Sequence, residues 1–172
     1  GVTDWKSKDD GDKQTLAENV AQVIARELGT SPPKKVVYDP NYPYGGEMNP
    51  DGTLILGPTS WNEDGPTMIH TIGHEMKHAQ QMDPNNTGQS AKEKEISKKN
   101  FEKYQKIGDH YGAYEGQYIE KDADSYADFL KRYFSQKMRE KDPNYSPVQP
   151  GDVSDFFGET SDSVKKWTDS QK

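Results

Sequence analysis

The sequence predicts an α+β fold: a mostly helical single domain with a small antiparallel sheet or hairpin packed on one histidine-bearing helix. Three observations predict it. Four segments repeat apolar residues at helical spacing. Two short β-forming runs, joined by turn residues, sit between the first and second of these segments. The length, 172 residues with 30% hydrophobic content, suits one domain and is thin for two. Residues 1–12 read as a flexible leader, 13–140 as the domain, and 141–172 as an extended tail partly docked on it.

The elements follow in chain order. Gln14 to Thr30 forms an amphipathic helix, with Leu16, Val20, Val23, Ile24 and Leu28 on one stripe and Gly29 where a C-terminal cap belongs. Ser31-Pro32-Pro33 then breaks the chain. Val36, Val37 and Tyr38 are β-formers, Asn49-Pro50-Asp51-Gly52 is a turn, and Thr53 to Gly57 is the strongest strand candidate. A helix follows through Met82. Asp64 or Gly65 serves as its N-cap, Pro66 suits its first turn, and Pro84 forces its end. Ala91 to Asp109 reads as a helix with a thin apolar edge of Ile96, Tyr104 and Ile107, its Lys/Glu alternation forming a solvated face. Gln117 to Met138 is the strongest helix, with Ile119, Ala123, Tyr126, Ala127, Leu130 and Phe134 as its core stripe. In the tail, Phe156 and Phe157 are the residues expected to dock.

Composition excludes several function classes. Net charge is −7 and the pI about 5.1, which argues against a nucleic-acid partner, since that would require a basic face. No run of about 18 apolar residues exists, so no membrane span is expected. With zero cysteines, disulfides and Cys-based zinc knuckles are impossible, and any metal must be held by His, Asp and Glu. Mean hydropathy is −1.16, so a modest core rich in aromatic residues is expected. The N-terminus has no apolar signal region and no initiating Met, which suggests a processed product or an excised domain.

Three of the four histidines, His70, His74 and His78, fall four apart in one helix. Within that helix His74-Glu75-Met76-Lys77-His78 has the pattern H-E-x-x-H. Residues four apart share a helix face, so two imidazoles can converge on one ion. Glu75, turned by one residue, can reach a water on that ion without being a ligand. Treating positions as independent, a chance match in a chain of this composition has a probability of roughly half a percent. Met68, Ile69, Ile72, Met76 and Ala79 form the opposite, core-facing side, and Gly73 leaves room for close approach of another element.

Catalytic zinc needs a third protein ligand and an open position. His70 is unsuited, because its Cα lies roughly 12 Å from that of His78 along the same helix; it reads as cleft wall, packing or a partner of a ligand. Glu120 and Asp124, in the pattern E-x-x-A-D, sit one turn apart beside the apolar stripe of the last helix. Acids there are costly unless compensated. An ion would compensate Glu120, and Asp124 could accept a hydrogen bond from a ligand imidazole. Asp109 is the rival third ligand. His110, Tyr111, Tyr114 and Tyr126 are candidate donors to an oxyanion.

The pair His74-Glu75-x-x-His78 and Glu120-x-x-Ala123-Asp124 resembles the gluzincin metallopeptidases, most closely the small bacterial, toxin-type metallopeptidase domains. The resemblance runs roughly from Thr53 to Phe134. It implies a minimal zincin-like fold in which His74, His78 and Glu120 hold Zn2+, Glu75 is the general base and Asp124 supports a ligand. The segment from Asp122 to Phe129 also echoes the aspzincins, in which an aspartate, here Asp109, replaces the glutamate; the Asp109-His110-Tyr111-Gly112 stretch is one residue shorter than that family's usual spacing. The activity implied is zinc-dependent hydrolysis of peptide bonds through a metal-activated water. The partners implied are a protein or peptide substrate and an immunity or inhibitor protein. A monomer is expected, secreted or delivered as part of a larger exported protein, with the cytoplasm as the alternative. The strand Thr53–Gly57 is expected at the rim of the cleft, offering an open edge to substrate. Two further classes compete: a catalytically inactive metal-binding module using the same ligands, and a helical interaction domain without metal.

Overall fold

The computed structural model describes residues 2–103 and 117–141, over which the chain is mostly helical with one small sheet. A 3-10 helix, Val2–Ser7, leads into α1 (Asp10–Leu28), β1 (Lys35–Tyr38), β2 (Gly46–Met48), β3 (Thr53–Leu56), α2 (Pro58–Trp61), α3 (Gly65–Met82), α4 (Ala91–Glu102) and α5 (Tyr118–Lys141). Helix α3 is the hub, packing against α1, α4, α5, β2 and the 3-10 helix.

The helix ends follow local chemistry. The Asp9 side chain caps α1 by accepting from the Asp12 N–H, and Gly29 closes it in the left-handed conformation with φ 66°. Asp64 caps α3 through the Thr67 N–H, and Pro66 occupies its first turn. Ser90 and Glu93 form a reciprocal capping box on α4.

Four expectations are corrected. The sheet is mixed rather than antiparallel, with order β1-β3-β2, β1 parallel to β3 and β2 antiparallel to it. Strand β3 is therefore central, with Leu54 and Leu56 buried, and has no open edge. The edge belongs to β2, a strand too short and too glycine-rich to register as a pattern. The leader is also not loose. Trp5 is fully buried, edge-on to Trp61 at 5.5 Å, while Tyr38 stacks flat on Trp61 at 4.6 Å. Lys13 donates from Nζ to the Trp61 carbonyl at 2.8 Å, and the Trp61 indole N–H donates to Asp10, so α1 begins earlier than its apolar stripe. Finally, Ile96 is exposed instead of forming an apolar edge on α4. Tyr104 and Ile107, like the tail with Phe156 and Phe157, lie outside the described residues.

The α3/α5 interface matches the expected stripes. Met68, Ile69, Ile72 and Met76 on α3, and Ile119, Ala123, Tyr126, Ala127, Leu130 and Phe134 on α5, are all fully buried. Each large apolar side chain buried this way contributes roughly 1.5–3 kcal/mol. At Gly73 a Cβ would stand 2.7 Å from Leu130 Cδ1, so the glycine sets how closely the two helices approach. Among the described residues no helix is long and apolar enough to cross a membrane.

Candidate metal centre

The close packing of α3 on α5 aligns two four-residue repeats running in opposite directions. His70, His74 and His78 on α3 face Asp128, Asp124 and Glu120 on α5. The rungs are short: His70 Nε2 to Asp128 Oδ1 is 2.8 Å, His74 Nδ1 to Asp124 Oδ1 is 2.9 Å, and His78 Nε2 to Glu120 Oε1 is 3.0 Å. The ladder accounts for all three histidines of the stripe. Its outer rung is a solvent-facing hydrogen bond, with Asp128 61% exposed, whereas Glu120 at the inner rung is 1% exposed.

At the inner end three ligand atoms converge. His74 Nε2 lies 3.1 Å from His78 Nε2 and 3.4 Å from Glu120 Oε2, and His78 Nε2 lies 3.0 Å from Glu120 Oε1. These separations match the roughly 3.3 Å between vertices of a tetrahedron drawn with zinc–nitrogen bonds of about 2.0 Å. His74, His78 and Glu120 form a group that could hold a metal ion.

The tautomers are fixed from behind. Asp124 can only accept, so His74 carries its proton on Nδ1. For His78 the orienting group is Gln81, which the sequence analysis missed. Its Nε2 donates to Asp122 Oδ2 at 2.8 Å and to the Ile119 carbonyl at 3.1 Å. Because both partners only accept, the amide orientation is set, and Oε1 receives the His78 Nδ1–H at 2.8 Å. With both Nδ1 atoms protonated, the neutral Nε2 atoms present lone pairs to one another and to the Glu120 carboxylate. Three acceptors pointing together, those of His78 and Glu120 buried and that of His74 partly so, require a cation or a proton between them. Two imidazole nitrogens and a carboxylate are a donor set suited to a divalent cation such as zinc.

Electrostatics without metal express the same demand. Burial disfavours the charged form of His74, but the hydrogen bonds to Asp124 and Glu120, with the charges of Glu75 and Glu120, outweigh it and raise its pKa to about 10. Burial is likewise outweighed at His78, chiefly by Glu120, and its pKa rises. For Glu120 burial acts upward, yet the two imidazoles prevail and hold its pKa near 2. Glu75 differs. Burial pushes its pKa up, with the Glu120 charge adding to it, against the opposing pull of the two histidines and the Met48 backbone N–H. Its Oε1 stands 3.8 Å from His74 Nε2, beside the ligand atoms without joining them.

These residues open onto a cleft of about 580 Å3. One wall is the edge strand β2 with the preceding Tyr42 and Tyr44; the other carries Met82 and Phe101. Glycine at position 46 is required for this wall, since a Cβ there would meet the Ile55 carbonyl oxygen at 2.9 Å and Thr71 Cγ2 at 2.9 Å.

Of the residues expected at the site, His74, His78 and Glu120 come together, Glu75 adjoins them, and Asp124 orients His74. His70 lines the cleft and pairs with Asp128 instead of joining the centre. Tyr126 is buried in the apolar core beneath the Lys77 ammonium, away from the cleft lining. Asp109, His110, Tyr111 and Tyr114 lie outside the described residues. A signal for Asp128 was present, since it continues the four-residue repeat of Glu120 and Asp124; Gln81, three residues after His78, carried none. No family model, no curated protein and no solved structure matches the chain.

Proposed function

We propose that the chain is a zinc-dependent metallopeptidase in which His74, His78 and Glu120 hold the ion and Glu75 is the general base. The observation that carries this reading is the convergence of two imidazole nitrogens and the buried Glu120 carboxylate with both imidazole Nδ1 atoms already committed, and with a second carboxylate, Glu75, alongside that is kept off the ligand set. The resemblance of the two motifs to gluzincins supports it. His74, His78 and Glu120 would hold a divalent ion, which when bound would supply Lewis-acid polarisation of a carbonyl and activation of water at neutral pH. Glu75 would be the group that accepts a proton from the attacking water and returns it to the leaving amine; a buried carboxylate with a raised pKa is suited to both transfers. Asp124 and Gln81 hold the imidazoles in the tautomer that leaves both Nε2 atoms free.

Substrate would lie along β2. Asn49 pairs with Thr53 and Gly45 with Gly57 across the ladder, so Glu47 bonds to β3 while Gly46 and Met48 turn their backbone groups away from it, the Met48 N–H toward Glu75. An extended peptide can add to that edge through main-chain hydrogen bonds. Delivery as part of a larger exported protein belongs to the same reading and rests on the toxin-type resemblance alone.

The inactive metal module is the second reading. Among the described residues no fourth side chain joins the three-ligand group, which favours an open position over a closed structural site. Glu75→Gln discriminates: zinc stoichiometry by elemental analysis should stay at one, while cleavage of a denatured protein substrate falls by at least about 100-fold. Undiminished cleavage in this variant would remove Glu75 from the role of base.

A further inference from the structure

The cleft has an asymmetric wall. On the β2 side Tyr42 and Tyr44 meet edge to face with ring centroids 5.9 Å apart, and Tyr44 is 46% exposed. The Tyr42 hydroxyl donates to Glu47 Oε2 at 3.2 Å. All three side chains belong to the lining of the cleft that holds His74, Glu75 and His78. No lysine or arginine lines this cleft among the described residues, and none lies in ion-pair contact with Glu47. The carboxylates of Glu75 and Glu120 are neutralised by the histidines or by the ion they hold. The Glu47 carboxylate is answered only by a neutral phenol, in a stretch of cleft wall that also carries the electron-rich rings of Tyr42 and Tyr44.

We propose that Tyr42, Tyr44 and Glu47 form a subsite that takes the basic side chain, lysine or arginine, of an extended peptide bound along β2. The inference rests on the peptidase reading and adds the substrate class. The physical basis is complementarity. A cation over a tyrosine face is favoured by the ring quadrupole, its stem can lie along the rings, and the free Glu47 oxygen accepts a charge-assisted hydrogen bond. An apolar side chain would gain the rings but cover the carboxylate while leaving it only the Tyr42 hydroxyl as partner. An acidic side chain would meet Glu47 in repulsion. The protein's net charge of −7 adds a long-range attraction for basic peptides that is screened by salt.

The test uses the full chain loaded with zinc and three matched alanine-rich decapeptides that carry lysine, norleucine or glutamate at one central position. Cleavage is read by mass spectrometry. Binding is read separately, by anisotropy of the labelled peptides on Glu75→Gln protein, so that it does not depend on turnover. The proposal expects the lysine peptide to exceed the norleucine peptide by about 10-fold in both kcat/KM and affinity, as for a partly exposed cation–π contact with an added ion pair. That ratio should shrink to below about 3-fold in Glu47→Gln and in Tyr44→Leu, and Glu47→Lys should favour the glutamate peptide. Glu47 and Tyr44 are exposed, so these variants are expected to fold; unchanged melting curves check this. A wild-type lysine-to-norleucine ratio below 2, or a ratio that survives Glu47→Gln, overturns the subsite. Absence of cleavage together with retained lysine-selective binding overturns the peptidase reading and keeps the subsite. Absence of both overturns the subsite as well.

Discussion

Zinc binding at pH 7 should expel at least one proton from the centre. In the metal-free protein His74 has its pKa raised to about 10, so its imidazole is charged at pH 7. His78 is raised as well, but its Nε2 stands 3.1 Å from that of His74, which makes two full charges there unfavourable. Glu120, held near 2, has no proton to give. Between one and two protons must therefore leave when the ion enters. Each proton displaced steepens the apparent affinity by about tenfold per pH unit, which for one proton is about 300-fold between pH 6.5 and 9. The assay is calorimetric titration with zinc at pH 7 in two buffers of different ionisation heat, repeated along a pH series. A buffer-independent heat with a flat pH profile would refute the reasoning, because it would mean that nothing occupies the space between the three acceptors before the metal arrives.

The same shifts fix the sign of the stability profile. The raised pKa of His74 stabilises the folded metal-free chain below the ordinary value of 6.5, and that contribution is lost as pH rises through about 10. The depressed Glu120 contributes above 4.5, and its contribution is lost as pH falls through about 2. Both are fully present between pH 4.5 and 6.5. Glu75, its pKa raised by burial, contributes stability below its ordinary value of 4.5 that is lost as pH rises through its folded value, which draws the optimum toward the acid end of this window. The metal-free melting temperature should therefore be highest in that window, while the rise in melting temperature on adding zinc should grow as pH increases. Gln81→Ala and Asp124→Ala, each freeing one imidazole, should weaken zinc binding by about 10–100-fold, measured by competition with a chelator of known affinity. Trp5→Ala should lower stability by about 3–5 kcal/mol in urea denaturation, because the ring is fully buried against Trp61; a change near zero would restore the loose leader. Gly46→Ala forces β2 and α3 apart and should lower stability by about 1–3 kcal/mol, read in the same way.

The sequence by itself determined the helices and what each one offers. The stripe of α5 is recognisable because an amphipathic helix repeats its pattern within the segment, and every residue of that stripe is buried. The caps at Gly29 and Asp64 are local chemistry, and so is the pairing of His74 with His78 one turn apart. Glu120 stood out as an acid beside a core stripe, a position that has to be compensated from elsewhere. Tertiary structure alone decided what lay across each gap. That α5 runs antiparallel to α3, so that three acids meet three histidines in register, depends on packing at Gly73 and Leu130, residues far apart in the chain. Gln81 acquires its role only because the Ile119 carbonyl and Asp122 arrive on α5 to fix its amide. The choice of β2 over β3 as the free edge depends on a parallel pairing with β1, and Trp5 is buried because Trp61 closes over it. Periodicity reports which face of an element must be covered, whereas the partner that covers it is set by contacts distant in the chain, which no local window records.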